Sequence, residues 1–327
     1  MPRRVLVTGG AGFIGCHVVR ALLAAGDEVV VLDDCSTGRV ANLEGLDHDD
    51  RLTLIHGSVC DELAVDDAAS GADAIIHLAA AVGVKRVLQY QVKSIMTNLR
   101  GTEVVLRAAE VHGGLPVFIA SSSEVYGKGV KAPFSEHDDS VLGATSLHRW
   151  SYACSKAMDE FLALAYHRER GLPVIVGRFF NITGPRQSPA YGMVLPRFCT
   201  ALLAGRPIEV YGDGEQTRCF LHVSDCVRAT LALLECGEAV GQVVNIGGEE
   251  EVSIRTLAER VQAIGERDVG IQLIDYAEAY PEGGFEDLRR RVPDTSRLRE
   301  LITWQAEKNL DAIIADCLAS CKEENAA

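Results

Sequence analysis

Along the first 180 positions, short apolar and β-branched runs alternate with longer stretches of helical periodicity. Val5-Leu6-Val7 predicts a first strand, and the spacing over His17 to Ala25 predicts a helix. Further strands are predicted at Glu28 to Leu32, Leu52 to His56, Ala74 to Leu78, Val117 to Ser121 and Val174 to Phe179, each stopping where a Gly, an Asp or a loop begins. Helices are expected over Ile95 to Val111 and Ser151 to Arg170. Strands that are apolar at consecutive positions must be covered on both faces. Strand and helix in alternation demand parallel strands with crossover helices, so the expected fold is α/β, a doubly wound parallel sheet.

Beyond Asn181 the pattern weakens. Gly184-Pro185, Gly192, Gly205-Arg206-Pro207 and Gly212-Asp213-Gly214 punctuate short elements, which predicts a smaller mixed α/β domain over 181–327 beside a first domain over 1–180. Val243 to Gly247 reads as a strand able to return to the first sheet. The two domains are therefore expected to interleave, with a return segment near 220–250. Ile254 to Ile264 and Leu310 to Cys321 have amphipathic helical spacing.

Composition narrows the classes. With 47% hydrophobic and 24% charged residues over 327 positions, the chain is neither disordered nor fibrous. A formal charge of −14 makes nucleic acid and anionic lipid unsuitable partners, and Arg289-Arg290-Arg291 is too short for a groove-binding stripe. No apolar run reaches membrane-spanning length, and the first residues run straight into a strand, so a cytoplasmic protein is expected. The ten cysteines show no C-x-x-C pair and no histidine pair at metal spacing, which predicts free thiols and no metal site.

The chemistry begins at Thr8-Gly9-Gly10-Ala11-Gly12-Phe13-Ile14-Gly15, which follows a strand and opens a helix. Glycines at 9, 12 and 15 stand where backbone must turn tightly and approach a pyrophosphate. Asp33 closes the second strand, where a carboxylate accepts from both ribose hydroxyls, a preference for NAD over NADP. Tyr152 and Lys156 lie four residues apart on one helix face, where an ammonium lowers the phenol pKa and lets a tyrosinate act as base. Ser121-Ser122-Ser123-Glu124 ends a sheet strand at the edge where such folds bind ligands. Cys154 reads as a small buried filler, and His77 and His148 as core and loop residues.

Together these motifs resemble the extended short-chain dehydrogenase/reductases that act on nucleotide sugars. His77-Leu78-Ala79-Ala80, Asn98 with Gly101-Thr102, Arg178 to Asn181 with Gly184-Pro185-Arg186, Tyr211 to Gly214 and Asn245-Ile246-Gly247 fall in that family's order. The resemblance implies a Rossmann domain holding NAD, a nucleotide-sugar-binding domain and a homodimer formed through paired helices at 95–111 and 151–170. It implies NAD contacts from Gly9, Gly12, Phe13, Ile14, Gly15, Asp33, Ser58, Val59, Leu78, Ala79, Ala80, Asn98, Tyr152 and Lys156. Ser58 stands where many relatives have an adenine-binding Asp. In the implied reaction Tyr152 takes the proton of the sugar 4-hydroxyl while C4 passes its hydride to NAD, Ser122 bonds the same oxygen, and Lys156 holds the nicotinamide ribose. Lys85, Arg149, Asn181, Arg186, Val194, Tyr211, Arg218 and Arg291 are the implied contacts to a UDP-sugar.

A 4-keto intermediate is common to epimerases, 4,6-dehydratases and decarboxylases, so the shared motifs do not choose among them. Ser122 to Gly127, with Glu124 at its centre, resembles the corresponding run of UDP-glucuronate decarboxylases. Arg149 to Tyr152 and Gln216 to Phe220 lean the same way, whereas the loop over Ala79 to Lys85 looks more like that of the epimerases. The expected activity is UDP-glucuronate decarboxylation to UDP-xylose or a UDP-4-keto-pentose. A 4-epimerase and a 4,6-dehydratase are the alternatives, and a non-catalytic NAD sensor is the reading from another class. Ser122, Ser123, Glu124, Tyr152, Lys156 and Arg218 are the expected catalytic group. A Glu124 bonded only to backbone amides would be structural instead.

Overall fold

The computed structural model describes residues 2–46, 48–83, 89–129, 131–281 and 286–326. Seven parallel strands build the main sheet: β1 (Arg4–Thr8), β2 (Glu28–Asp33), β3 (Leu52–His56), β4 (Ala74–His77), β5 (Val117–Ser122), β6 (Val174–Phe180) and β11 (Val243–Gly247). Their spatial order is β11-β6-β5-β4-β1-β2-β3, so the direction of winding reverses between β1 and β4. That reversal opens a crevice at the carboxyl ends of the strands. Val5 to Val7, Ile75, Ile76 and Val117 to Ile119 are fully buried, as continuous apolar strands require. β3 differs. It is the sheet edge, paired only with β2, and Leu52–His56 is largely uncovered.

Helices cover both faces: α1 (Phe13–Ala24), α2 (Glu62–Ala69), α3 (Gln91–Val111) and α4 (Trp150–Arg170). The first begins four residues before the expected His17, because Gly12 already supplies the extended N-cap conformation. In α4 the buried face carries Ala153, Ser155, Lys156, Asp159, Glu160 and Ala163, and Gly171 in the left-handed region (φ +70°) ends the helix. The segment at 243–247 does return to the main sheet, pairing in parallel with β6 from Val243↔Val176 to Gly247↔Phe180.

The remaining elements are β7 (Ile182–Thr183), α5 (Val194–Leu203), β8 (Ile208–Tyr211), β9 (Thr217–Cys219), β10 (Leu221–His222), α6 (Val223–Leu234), β12 (Glu251–Ser253), α7 (Ile254–Ile264), β13 (Ile271–Ile274), α8 (Tyr276–Ala279), β14 (Arg290–Arg291), α9 (Ser296–Leu301) and α10 (Leu310–Ala326). A second core of Leu195, Phe198, Leu202, Leu257, Val261, Ile313 and Ile314 joins α5, α7 and α10. The last helix runs five residues past the expected Cys321. β9 pairs antiparallel with β12 and in parallel with β14, and the second pairing sets Arg291 directly beside Arg218.

Candidate active site

A cleft of about 490 Å³ runs from the β1–α1 turn across the ends of β4 and β5 to the elements after 181. At its first end the turn is held in part by backbone: Gly9 N–H donates to Leu32 O at 2.9 Å and Gly12 N–H to Gly9 O at 3.0 Å. Gly9 has φ +73°, and a Cβ on Gly15 would lie 2.1 Å from Gly9 O, so neither position admits a side chain. Asp33 accepts from Ala11 N–H at 2.9 Å and Cys35 N–H at 2.8 Å. Burial nevertheless raises its pKa above the usual carboxylate range. A bare turn at a helix N-terminus beside a partly satisfied carboxylate fits a dinucleotide's pyrophosphate and ribose.

Sequence reading missed two supports of this turn. Gly38 lies against it so closely that a Cβ would be 2.7 Å from both Ala11 C and Ala11 O, and Asn42 Nδ2 donates to Ala11 O at 2.8 Å. A single glycine after β2 carries no local mark of that contact. Gly38→Ala is expected to raise the Kd for NAD at least about tenfold through displacement of residues 11 and 12. Isothermal titration of wild type and variant checks this.

Phe13, Ile14, Ser58, Val59, Leu78, Ala79 and Ala80 all line the cleft. Ser58 Oγ accepts from Cys60 N–H at 3.2 Å. Asn98 does not line it. Its Oδ1 accepts from Ala81 N–H at 2.8 Å and its Nδ2 donates to Ser155 Oγ at 2.9 Å, so it ties the loop after β4 to α4. Both ends of the amide thus meet protein groups, and the expected NAD contact stays a proposal for this residue. His77 is a core residue, as expected, bridging Thr8 Oγ1 at 2.7 Å and Thr102 Oγ1 at 3.3 Å, with burial holding its pKa down to about 3. His148 is exposed, and Cys154 is half-buried rather than buried.

Ser122, Tyr152 and Lys156 meet in the middle of the cleft. The helix turn puts the phenol and the ammonium on one face, and β5 ends with the serine against them. Burial raises the Tyr152 pKa, and the Lys156 charge and a hydrogen bond with Ser122 offset only part of that. The ammonium thus acts in the expected direction, but burial makes the net shift in the protein without ligand an upward one. Lys156 Nζ donates to Asp159 Oδ2 at 3.1 Å. Burial alone would lower the lysine's pKa, but Asp159, Tyr152 and Glu160 together outweigh it and raise it.

Beyond them stand three guanidinium groups. Glu124 is gripped by Arg149 Nη2 at 3.0 Å and Arg291 Nη2 at 2.7 Å. Burial pushes its pKa up, but Arg291, Arg149 and Arg218 prevail and hold it at about 2. Glu124 is thus a clamped anion, not a carboxylate bonded only to backbone amides. Ser123 Oγ lies 3.5 Å from Arg291 Nη1. Arg218 donates to Asp287 Oδ1 at 2.6 Å and to the carbonyls of Thr217 and Leu288, and burial together with Arg291 lowers its pKa to about 10. Of the basic run, Arg289 and Arg290 are exposed and paired with Asp213 and Glu251, while Arg291 alone turns inward.

Asn181, Arg186, Val194 and Tyr211 also line the cleft. Asn181 holds φ +41° and donates to Cys219 O at 2.8 Å, and Arg186 Nη1 reaches Ala41 O at 3.3 Å. The Arg197 guanidinium stacks 4.0 Å from the Tyr211 ring, with Tyr280 edge-on at 5.8 Å. Lys85 lies outside the described residues. Among those residues no group of His, Cys, Asp and Glu is placed to hold a metal ion, and no helix is long and apolar enough to cross a membrane.

A nucleotide-binding crevice with a tyrosine, a lysine and a serine at its centre defines a dehydrogenase-type site on a doubly wound sheet. The chain belongs to the NAD-dependent epimerase/dehydratase family, whose model matches residues 5–247. It is 41% identical over 312 residues to the UDP-N-acetyl-alpha-D-glucosaminuronate decarboxylase of Bacillus cytotoxicus, which covers 93% of this chain and 95% of that protein. It is 34% identical over 307 residues to UDP-glucuronic acid decarboxylase 1 of Arabidopsis thaliana, covering 94% of this chain and 67% of the relative. Among solved structures, the dTDP-glucose 4,6-dehydratase DesIV of Streptomyces venezuelae with NAD bound superposes with a TM-score of 0.89 at 32% identity, over 99% of this chain and 98% of that one. The UDP-glucose 4-epimerase of Thermotoga maritima with UDP-glucose superposes with a TM-score of 0.88 at 28% identity, over 98% and 99%. The protein is an NAD-dependent nucleotide-sugar enzyme.

Proposed function

We propose that the protein decarboxylates a UDP-hexuronate, with UDP-glucuronate as the substrate and UDP-xylose or a UDP-4-keto-pentose as the product. The observation that carries this reading is the charge of the cleft beside Tyr152. Arg149 and Arg291 pair there with Glu124 and Arg218 with Asp287, and this wall of three guanidinium groups suits the carboxylate of a uronate.

NAD, when bound, supplies the reversible oxidation at C4. Tyr152 Oη accepts the proton of the 4-hydroxyl, and the Ser122 hydroxyl donates to the same oxygen. Once C4 is a ketone, the uronate is a β-keto acid, and loss of CO2 leaves an enolate. The Tyr152 and Ser122 hydroxyls, already aimed at its oxygen, stabilise that charge. Arg218 and Arg291 orient the carboxylate before it leaves. Glu124, ionised near neutral pH, does not itself donate the proton to C5. It keeps Arg149 and Arg291 aligned and holds a water for that step. Glu124→Gln is expected to spare NAD reduction and slow CO2 release, followed by NADH absorbance and trapped carbonate. Equal loss of both steps overturns this role.

The test is proton NMR of UDP-glucuronate incubated with protein and NAD, with UDP-N-acetylglucosaminuronate and UDP-glucose as companions. Pentose signals from UDP-glucuronate support the proposal. Pentose signals from the N-acetylated uronate alone transfer it to the chemistry in the name of the 41%-identical relative. Galacturonate or UDP-galactose as product makes the protein an epimerase and overturns it.

A homodimer belongs to the same proposal. Val92 and Met96 on α3 and Met158 and Phe161 on α4 are exposed, and these two helices pack side by side. Light scattering at twice the chain mass is the expected result. Cytoplasmic placement is supported by cysteines that are all unpaired thiols.

A further inference from the structure

Asp159 is an acid that none of the steps above uses. It sits on α4 three residues after Lys156, with 0% of its surface exposed, at the back of the cleft floor. Its Oδ2 accepts from Lys156 Nζ at 3.1 Å, and its Oδ1 has no hydrogen-bond partner among the described residues. A wholly buried carboxylate with one oxygen unsatisfied is costly, and stability alone does not account for it. The adjacent Glu160 is the opposite case: Arg178 and Ser121 saturate it. The acid beside the lysine is the under-satisfied one.

We infer that Asp159 is a positioning residue for Lys156, and that through the lysine it sets the pH at which Tyr152 serves as base. The inference rests on the proposed role of Tyr152. A cation paired with an anion pulls less strongly on the neighbouring phenol than a bare cation does. The groups facing this trio are Glu160 on the same helix, His77 at the end of β4, and Ser122 with Glu124 after β5. His77 is neutral, Glu160 is compensated by Arg178, and Glu124 by two arginines. Asp159 is the acid paired directly to Lys156. Its charge also acts on the phenol to raise the Tyr152 pKa.

The sign follows. Removing the Asp159 charge leaves Lys156 a bare cation next to Tyr152, so the phenol ionises at lower pH. Lys156 itself, buried and without its anion, loses its proton more readily. In Asp159→Asn the acid limb of the kcat profile is expected to move down by about one pH unit, and an alkaline limb to appear as Lys156 deprotonates. Asp159→Glu is expected to restore much of the wild-type profile. A purely structural Asp159 would lower the melting temperature and kcat at every pH and move neither limb.

The decisive measurement needs no substrate. Phenolate absorbance of the NAD-loaded protein is titrated for wild type and Asp159→Asn, each minus its Tyr152→Phe counterpart, so that only Tyr152 is read. Earlier ionisation in Asp159→Asn supports the inference, and coincident curves overturn it. If no nucleotide sugar turns over but the curves separate, the proposed function falls and the inference stands. If turnover is present and the curves coincide, the inference falls and the function stands.

Discussion

Tyr152→Phe is expected to slow NAD reduction by a nucleotide sugar about 10³-fold without abolishing NAD binding. The phenyl ring keeps the packing of the cleft wall, while the hydroxyl proposed to accept the 4-hydroxyl proton is gone. Lys156, Asp33 and the glycine turn remain to hold the dinucleotide. Stopped-flow absorbance of NADH gives the rate, and titration with NAD gives the affinity. A loss below about tenfold would remove Tyr152 from the role of base. Because the ligand-free phenol titrates above its ordinary pKa, the wild-type rate of the oxidation step is expected to rise with pH until the phenol is ionised.

The second large effect concerns stability. Arg178 donates to Glu160 through Nε at 2.9 Å and Nη2 at 2.6 Å, with both side chains buried between β6 and α4. Its guanidinium also stacks 4.6 Å from the Tyr126 ring. Arg178→Met is expected to destabilise the protein by about 3–5 kcal/mol, because it leaves the Glu160 charge buried without a partner. Urea denaturation gives the difference, and the double variant Arg178→Met with Glu160→Gln is expected to recover part of it. Since β5 and α4 carry Ser122 and Tyr152, loosening of this pair would also reach the cleft. A single-variant loss under about 1 kcal/mol would mean the pair is solvated in practice.

The parts of the site legible in the sequence are those whose geometry is local. Tyr152 and Lys156 share a face because a helix repeats every 3.6 residues, and Gly9, Gly12 and Gly15 announce a turn because only glycine tolerates such close backbone approach. Asp33 is legible by its place at the end of a strand. The arginines are a different matter. Arg218 and Arg291 are 73 positions apart, and only the β9–β14 pairing sets them together over Glu124. Glu124 is legible as a member of the expected catalytic group, but its clamping by Arg149 and Arg291 is hidden for the same reason.

Asn98 and Asp159 show the limit from the other side. The family pattern marks Asn98, but that pattern does not say whether an amide touches a ligand or, as here, bridges Ala81 and Ser155. Asp159 carries no mark at all among 46 acidic residues. Its interest comes from zero exposure and one orphaned oxygen, which are properties of packing.

By itself, then, the sequence determined a parallel sheet with crossover helices, the dinucleotide turn, and a tyrosine and lysine on one helix face. Periodicity and backbone sterics act over a few residues and are written into the chain directly. Only the tertiary structure decided which charges meet in the cleft, in which direction the Tyr152 phenol departs from its ordinary acidity, and that three guanidinium groups converge beside it. Those properties arise from burial and from contacts between distant segments, where a low dielectric turns a few ångströms into the difference between an ionised and a neutral group.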